Sequence, residues 1–176
     1  KGLTAPENPS ATDSARFRAD SQPATQTDPL SADTDHDGLL DGLEDKNANG
    51  RVDAGETDPL NPDSDSDSLT DGEEVNLYRS NPLSVHSDLD GLSDADEVRI
   101  YRTNPASEDT DGDGLWDGRD VTVNGVLHRG ELTYYTSARS DDTDADGLKD
   151  GVEISGWSIT VNGAAQKVTS DPTRPD

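Results

Sequence analysis

Carboxylates recur at a fixed spacing along the chain and could together bind a hard divalent cation. A twelve-residue pattern places Asp at positions 1, 3 and 5, Gly at 6, Asp at 9 and an acid at 12. In a tight loop, positions 1, 3 and 5 supply side-chain oxygens, position 7 a backbone carbonyl, position 9 a side chain or its water, and position 12 a carboxylate. Glycine at position 6 permits the sharp turn. The expected chemistry is therefore metal binding.

The pattern is repeated, which makes it specific. Its six copies occupy residues 33–44, 45–56, 63–74, 86–97, 109–120 and 142–153. Ca²⁺ takes six to eight oxygens in flexible geometry, whereas Mg²⁺ needs a smaller, near-octahedral site, so we expect about six Ca²⁺ ions. The predicted ligands, with position 7 contributing its carbonyl, are Asp33, Asp35, Asp37, Leu39, Asp41, Glu44, Asp45, Asn47, Asn49, Arg51, Asp53, Glu56, Asp63, Asp65, Asp67, Leu69, Asp71, Glu74, His86, Asp88, Asp90, Leu92, Asp94, Glu97, Asp109, Asp111, Asp113, Leu115, Asp117, Asp120, Asp142, Asp144, Asp146, Leu148, Asp150 and Glu153.

The distribution of charge favours metal binding over a merely acidic surface. The chain has 39 Asp and Glu against 14 Lys and Arg, a formal net charge of −25. Of these acids, 27 lie at positions 1, 3, 5, 9 and 12 of the loops, which leaves 12 acids against 14 basic residues elsewhere. A solvated acidic surface would spread its carboxylates. The excess charge instead lies where a cation would bind.

Departures from the pattern predict unequal sites. His86 replaces Asp at position 1, Ser68 replaces the glycine, Asp120 shortens the acid at position 12, and Asn47 and Asn49 dilute the charge of one loop. We expect those four loops to bind more weakly, with the loop that contains His86 the weakest of the six.

The first two loops follow each other without a linker, at 33–44 and 45–56. Because one coordination shell would end where the next begins, we expect these loops to form a paired unit in which each orders the other. The alternative is that 45–56 is an empty loop that serves as a turn.

The chain has too few apolar residues to form a conventional hydrophobic core that would hold the loops in place. Leu, Ile, Val and Phe number 29 of 176 residues, a composition typical of disordered chains. Bound metal can supply the missing free energy of folding. The predicted fold is a mostly irregular, calcium-stabilised, elongated repeat array with short helices and two β-hairpins.

Short proline-containing sequences that favour turns precede most of the loops. Asx-Pro pairs, each preceded by Thr or Ser, put proline four residues before a loop start and end any preceding helix. They are Asp28-Pro29, Asp58-Pro59, Asn81-Pro82 and Asn104-Pro105, with Asp171-Pro172 making Asp176 the start of a further loop.

The segments between loops predict short regular elements. The near copies GEEVNLYRSNP and ADEVRIYRTNP allow one or two helical turns and place Tyr78 and Tyr101 equivalently. Two Val-Asn-Gly segments, VTVNGVLHRGELTYY and WSITVNGAAQKVT, predict hairpins with type I′ turns. Their aromatic residues predict a small packed nucleus near 115–168.

Three regions follow from this organisation. Residues 1–30 are an extended tether or interaction arm, rich in Ser, Thr, Ala and Pro. Residues 31–107 hold four loops, and residues 108–176 hold two loops with hairpin inserts.

These residues resemble the thrombospondin type 3 repeat family, through DTDHDGLLDGLE, DTDGDGLWDGRD and the Asx-Pro linkers over 28–176. The resemblance implies an extracellular module that winds irregularly around a row of Ca²⁺ ions and is rigid only when loaded. Residues 141–163 are also similar to the calcium-binding segment of anthrax protective antigen and related bacterial binary-toxin components.

Several function classes are disfavoured. The chain has no cysteine, no apolar run near the length of a membrane span and no basic cluster, so thiolate metal sites, membrane insertion and nucleic-acid binding are not expected. Its three histidines form no catalytic group, and a non-enzymatic protein is expected. A reversible calcium sensor or buffer would need paired helices that open a groove, which the sequence does not suggest.

The favoured function is a calcium-stiffened structural spacer or assembly module of a secreted or cell-surface protein of bacterial type. Its partners would be calcium and other protein domains or copies of the chain. The alternatives are the calcium-binding portion of a binary-toxin-like component and a dockerin-like adhesion module, although dockerins carry two loops with longer helices.

Overall fold

The computed structural model describes residues 27, 28 and 30–175, so most of the arm predicted at residues 1–30, namely 1–26 and 29, lies outside the described residues. The chain forms two compact units, divided between Val85 and His86. In both units most residues lie in turns and irregular backbone.

The helices are short, and they begin at position 9 of a loop or at an acid that follows an insertion. In both units these helices lie at the ends of loops, and the proline-bearing linkers that follow keep them short, as expected. They are α1 (Asp41–Glu44), α2 (Asp71–Glu73), α3 (Asp94–Asp96), α4 (Glu131–Tyr134) and α5 (Asp150–Ser155).

Two of these helices continue into π-helical turns that the sequence did not predict. The turn Glu74–Tyr78 follows α2, and the turn Glu97–Tyr101 follows α3. The two tyrosines lie at equivalent positions, as predicted. Each turn ends at an arginine with left-handed backbone, Arg79 at φ 65° and Arg102 at φ 60°. The short helical segments predicted before Asn-Pro are confirmed.

The two Val-Asn-Gly segments form antiparallel hairpins. Strand β1 (Val121–Val123) pairs with β2 (Val126–His128), and β3 (Trp157–Val161) pairs with β4 (Ala164–Val168). Asn124 has φ 52°, and the glycines after both turn asparagines have φ 82°, which is the positive pair that a type I′ turn requires. Both predicted hairpins are confirmed.

The aromatic residues of this region make pairs with neighbours. Trp116 stacks on His128 with ring centroids 3.9 Å apart, and the Arg129 guanidinium lies 5.7 Å from the Tyr134 ring centroid. Tyr135 is 86% exposed, so it is not part of the packed nucleus predicted for 115–168.

Buried side chains are few and unusual in kind. The buried apolar residues of the described chain are Leu39, Leu69, Leu92, Ala95 and Leu115. Four of them are the leucines at loop position 7, so this residue contributes packing, beside the carbonyl ligand predicted for it. The largest fully buried side chains also include five glutamates, which a conventional core would exclude. The mostly irregular fold with short helices and two hairpins is confirmed. No helix in the described part of the chain has the length and apolar character needed to cross a membrane.

Candidate metal centres

The loops that begin with aspartate turn around that residue. In loop 33–44, Asp33 accepts hydrogen bonds from the N–H groups of His36, at 2.8 Å, and Gly38, at 3.1 Å. Both donors have left-handed backbone, with φ of 66° and 97°. The turn gathers the carboxylates of positions 1, 3 and 5, because one oxygen from each of Asp33, Asp35 and Asp37 lies within 4.8 Å of the others. Loops 63–74 and 109–120 form the same carboxylate groups.

The aspartate at position 9 is held by the residue at position 2. Asp41 accepts from the Thr34 N–H at 2.7 Å and from the Thr34 hydroxyl at 2.8 Å. This double hydrogen bond fixes the carboxylate before any ion is bound. The same pair recurs as Asp71 with Ser64, Asp94 with Ser87, Asp117 with Thr110 and Asp150 with Thr143.

The aspartate at position 5 joins its loop to the next one in the same unit, where residues 45–56 count as an insertion and not as the next loop. Asp37 accepts from the Leu39 N–H at 2.6 Å and, with its other oxygen, from the Gly72 N–H at 2.8 Å. A Cβ at Gly72 would lie 2.3 Å from the Asp37 carbonyl oxygen, so only glycine fits this approach. Gly118 against Asp90 and Gly151 against Asp113 show the same 2.3 Å distance. Successive loops of a unit are therefore closely packed.

The glutamates that end the loops are fully buried. Glu44, Glu74, Glu97 and Glu153 have no exposed surface, and Glu131 has 1%. Burying an anion without a partner is strongly unfavourable. These side chains are therefore the clearest sign that a cation belongs in the loops.

Individual oxygen atoms show where that cation would bind. Among the described residues, the buried Oε2 atoms of Glu44, Glu97 and Glu153 and both oxygens of Glu131 have no hydrogen-bond partner. The same holds for Oδ2 at position 3 of four loops, in Asp35, Asp88, Asp111 and Asp144. Buried polar atoms are normally satisfied. A set of ligand atoms made only of oxygens suits Ca²⁺, so the residues present fit this ion.

Burial and mutual repulsion shift these acids toward the neutral form. Burial, with repulsion from Asp88 and Asp90, raises the pKa of Glu97 to about 9. Burial, with repulsion from Asp35 and Asp37, raises the pKa of Glu44 to about 8. A bound divalent cation would favour the charged form and reverse these shifts.

Each centre extends into the following loop. Oxygens of Asp37, Glu44 and Asp71 lie within 4.8 Å of one another, although Asp71 belongs to loop 63–74. In the second unit, Asp117 of loop 109–120 raises the pKa of the preceding loop's Glu97 by repulsion. In these two cases the position-9 aspartate lies near the carboxylates of the loop before it in the same unit, an arrangement that spacing within one loop could not reveal.

In the fifth loop Glu131, which the sequence analysis did not consider, lies where other loops have their buried glutamate. Glu74 and Glu97 each donate their N–H to the carbonyl of loop position 8, at 3.0 and 2.9 Å. The Glu131 N–H does the same to Trp116, at 2.8 Å, across the hairpin insertion. The predicted ligand Asp120 is exposed and accepts from the Gly130 N–H. The signal was available, because ELTYY repeats the glutamate and tyrosine spacing of EVNLY and EVRIY.

Loop 45–56 satisfies its acids without a metal. The Asn47 side-chain amide donates to Asp53 at 3.0 Å and to Glu56 at 2.9 Å, and Asn49 donates to Asp53 at 2.8 Å. Position 2 of this loop is Lys46, where the other five loops have Ser or Thr. Amide protons here satisfy Asp53 and Glu56, whereas several acids of the other loops have buried oxygens without a donor among the described residues.

The fourth loop has a different first residue and a different turn. His86 Nδ1 lies 2.5 Å from the carbonyl oxygen of Leu92, the position-7 residue. Burial is the main cause that raises the pKa of Asp88 to about 7, and it also raises that of Asp90. The histidine ring therefore contacts the Leu92 carbonyl, which was itself predicted to be a metal ligand together with His86.

Comparison with known proteins identifies the repeat. The family model described as bacterial TSP3 repeat matches residues 63–84, 87–107 and 142–155. The recognition of thrombospondin type 3 repeats is thereby confirmed. These are calcium-binding structural repeats that occur in extracellular proteins, and the family is not an enzyme family. No curated protein and no solved structure matches the chain. The resemblance of 141–163 to the protective antigen segment stays a prediction.

Proposed function

We propose that this chain is a calcium-stiffened spacer or assembly module of a secreted or cell-surface bacterial protein. The observation that carries the proposal is the set of buried position-12 glutamates, several with oxygens that no donor contacts. The match of three stretches to bacterial TSP3 repeats supports both the calcium and the bacterial parts of it.

The proposal assigns five ions, one to each loop that ends in a buried glutamate. Each ion would be held by positions 1, 3, 5 and 12, with His86 as the exception at position 1. In loops 33–44, 86–97 and 109–120, position 9 of the loop that follows in the same unit, Asp71, Asp117 or Asp150, would also face the ion. Glu131 takes the role first given to Asp120. No ion is assigned to 45–56, where Asn47 and Asn49 already satisfy the acids.

The stiffening follows from electrostatics. Without ions the clustered carboxylates repel one another and the compact state is destabilised. If each site had a dissociation constant of about 10 µM in about 1 mM calcium, binding would stabilise the fold by roughly 2.7 kcal/mol per site. Such sites replace the missing apolar core. Millimolar calcium is an extracellular condition, which supports a secreted module whose partners are other domains or further copies.

Counting ions and measuring chain dimensions tests the proposal. Metal analysis after dialysis against millimolar calcium should give about five ions, and small-angle scattering in EGTA should show an expanded chain. A chain that stays compact and protease-resistant in EGTA would refute it. Submicromolar affinity with a small change in dimensions would instead favour a buffer or sensor.

A further inference from the structure

The Ser or Thr that precedes four of the five Asx-Pro linkers contacts a buried glutamate earlier in the chain. The hydroxyl of Thr57 donates to Glu44 Oε1 at 3.2 Å, and that of Thr103 donates to Glu97 Oε1 at 3.2 Å. Ser80 donates to Glu74 at 3.1 Å, and Ser170 to Glu153 at 2.7 Å. These contacts span 13, 6, 6 and 17 residues along the chain. Segments of different length between glutamate and hydroxyl thus end in the same kind of hydrogen bond.

The hydroxyl acts on one oxygen and leaves the other for a cation. In Glu44, Glu97 and Glu153 the bonded atom is Oε1, and Oε2 is the buried atom without a donor. A carboxylate held at one oxygen cannot rotate freely about its last bond. The linker hydroxyl therefore orients the glutamate toward the ion site, as outer-shell partners do in other metal sites.

The same linker is bonded onward to the next loop. The N–H of Asn104 donates to the Thr110 hydroxyl at 2.9 Å, and that hydroxyl donates to Asp117 at 2.6 Å. Asp117 in turn is close enough to raise the pKa of Glu97. The interactions therefore form a ring, in which hydrogen bonds run from Glu97 through Thr103 and the linker to Asp117, and the charge of Asp117 acts back on Glu97.

The first unit repeats this ring across an insertion. After Thr57, the Asp58 N–H donates to Ser64 at 3.4 Å, and the Ser64 hydroxyl donates to Asp71 at 2.6 Å. Asp71 and Glu44 belong to one carboxylate group. Two units with different intervening sequence thus have the same arrangement.

We infer that the linker Ser or Thr is a positioning residue of the calcium centres, which orients the binding glutamate and connects the ion to the loop that follows. The inference rests on the proposed calcium function. In the fifth centre the Thr136 hydroxyl, five residues after Glu131, is buried without a partner among the described residues. Because neither oxygen of Glu131 has a hydrogen-bond partner among these residues, the inference is confined to the four centres in which the hydroxyl contacts the glutamate.

The test replaces the hydroxyl with a methyl group in the full chain. Calcium release into a fluorescent chelator is followed by stopped flow for the wild type, Thr103→Val, Thr57→Val and the rescue variant Thr103→Ser. The matched control is Thr122→Val, an exposed threonine on β1. In each linker valine variant one ion should leave about 10-fold faster or more, whereas Thr103→Ser and Thr122→Val should behave as the wild type.

The outcomes separate this inference from the proposed function. A wild type that releases no calcium refutes the proposed function itself. A wild type that releases calcium, with unchanged release from both linker valine variants, overturns the inference alone, even if their unfolding temperatures in saturating calcium fall. Failure of Thr103→Ser to restore the rate also overturns it, because packing and not the hydroxyl would then matter. Thr57→Val keeps the test decisive if Thr103→Val does not fold.

Discussion

Glu131 and Asp120 allow a test at the level of single carboxylates. Glu131→Gln should remove one bound ion, because the isosteric amide loses the charge that a buried ligand needs. Asp120→Asn should leave the ion count unchanged, since Asp120 is exposed and bonded to Gly130. Metal analysis after dialysis measures both. Loss of an ion in Asp120→Asn, with none lost in Glu131→Gln, would return the ligand role to Asp120.

The limits of sequence prediction are visible at these same residues. The spacing of Asp33, Asp35 and Asp37 predicted a carboxylate cluster because the chemistry of a tight loop is local, and the structure brings these side chains together. Glu131 was missed because a hairpin separates it from its loop. The contact of Asp71 with the preceding centre was not predictable, since it depends on how loops pack and not on spacing within one loop.

At the scale of the element, loop 45–56 should be convertible into an ion site. Asn47→Asp combined with Asn49→Asp removes the amide protons that satisfy Asp53 and Glu56 and restores the acids of positions 3 and 5. The double variant should bind one ion more than the wild type and should be less stable than it in EGTA. Dialysis and thermal unfolding measure these changes. Six ions in the unmodified chain would show that this loop binds calcium already.

Packing between loops depends on a glycine that tolerates no methyl group. Gly151→Ala would place a Cβ 2.3 Å from the Asp113 carbonyl oxygen and should destabilise the second unit by about 1 to 3 kcal/mol, the usual cost of overpacking. Gly42→Ala is the matched control, because its Cβ would meet no described atom within 4 Å. Denaturant unfolding in saturating calcium compares them. Equal effects of the two substitutions would contradict this role of Gly151.

Whether a loop tolerates this methyl group depends on its neighbour. The fourth loop has Ala95 at the equivalent position, and the loop that precedes it in sequence belongs to the other unit. The requirement for glycine is therefore argued for successive loops inside one unit, where Gly72, Gly118 and Gly151 make the close approach.

For the whole molecule, calcium binding should release protons at neutral pH. Burial and neighbouring acids raise the pKa of Glu97 to about 9 and of Glu44 to about 8, above their unfolded value of 4.5. The ion-free fold therefore binds more protons than the unfolded chain, so its stability is present below pH 4.5 and is lost as pH rises through about 8 to 9. Calcium must displace these protons, and its affinity should rise with pH.

Calorimetry in buffers of different ionisation enthalpy measures that proton release, and scattering in EGTA measures the pH dependence of compaction. The ion-free chain should be more compact near pH 5 than near pH 9. Binding enthalpies that do not depend on the buffer would contradict protonated glutamates in the ion-free fold.

Hydrogen bonds between a glutamate and a hydroxyl close two insertions and make each of them a place where the sequence could be exchanged. Residues 45–56 leave after Glu44 and return at Thr57, and residues 156–169 lie between Glu153 and Ser170, whose side chains meet at 2.7 Å. Since both ends are held by the same glutamate and hydroxyl, the intervening peptide can vary in length and shape without reaching the carboxylates. The same closure would let this framework carry a grafted peptide, with the β3–β4 hairpin as the place of insertion.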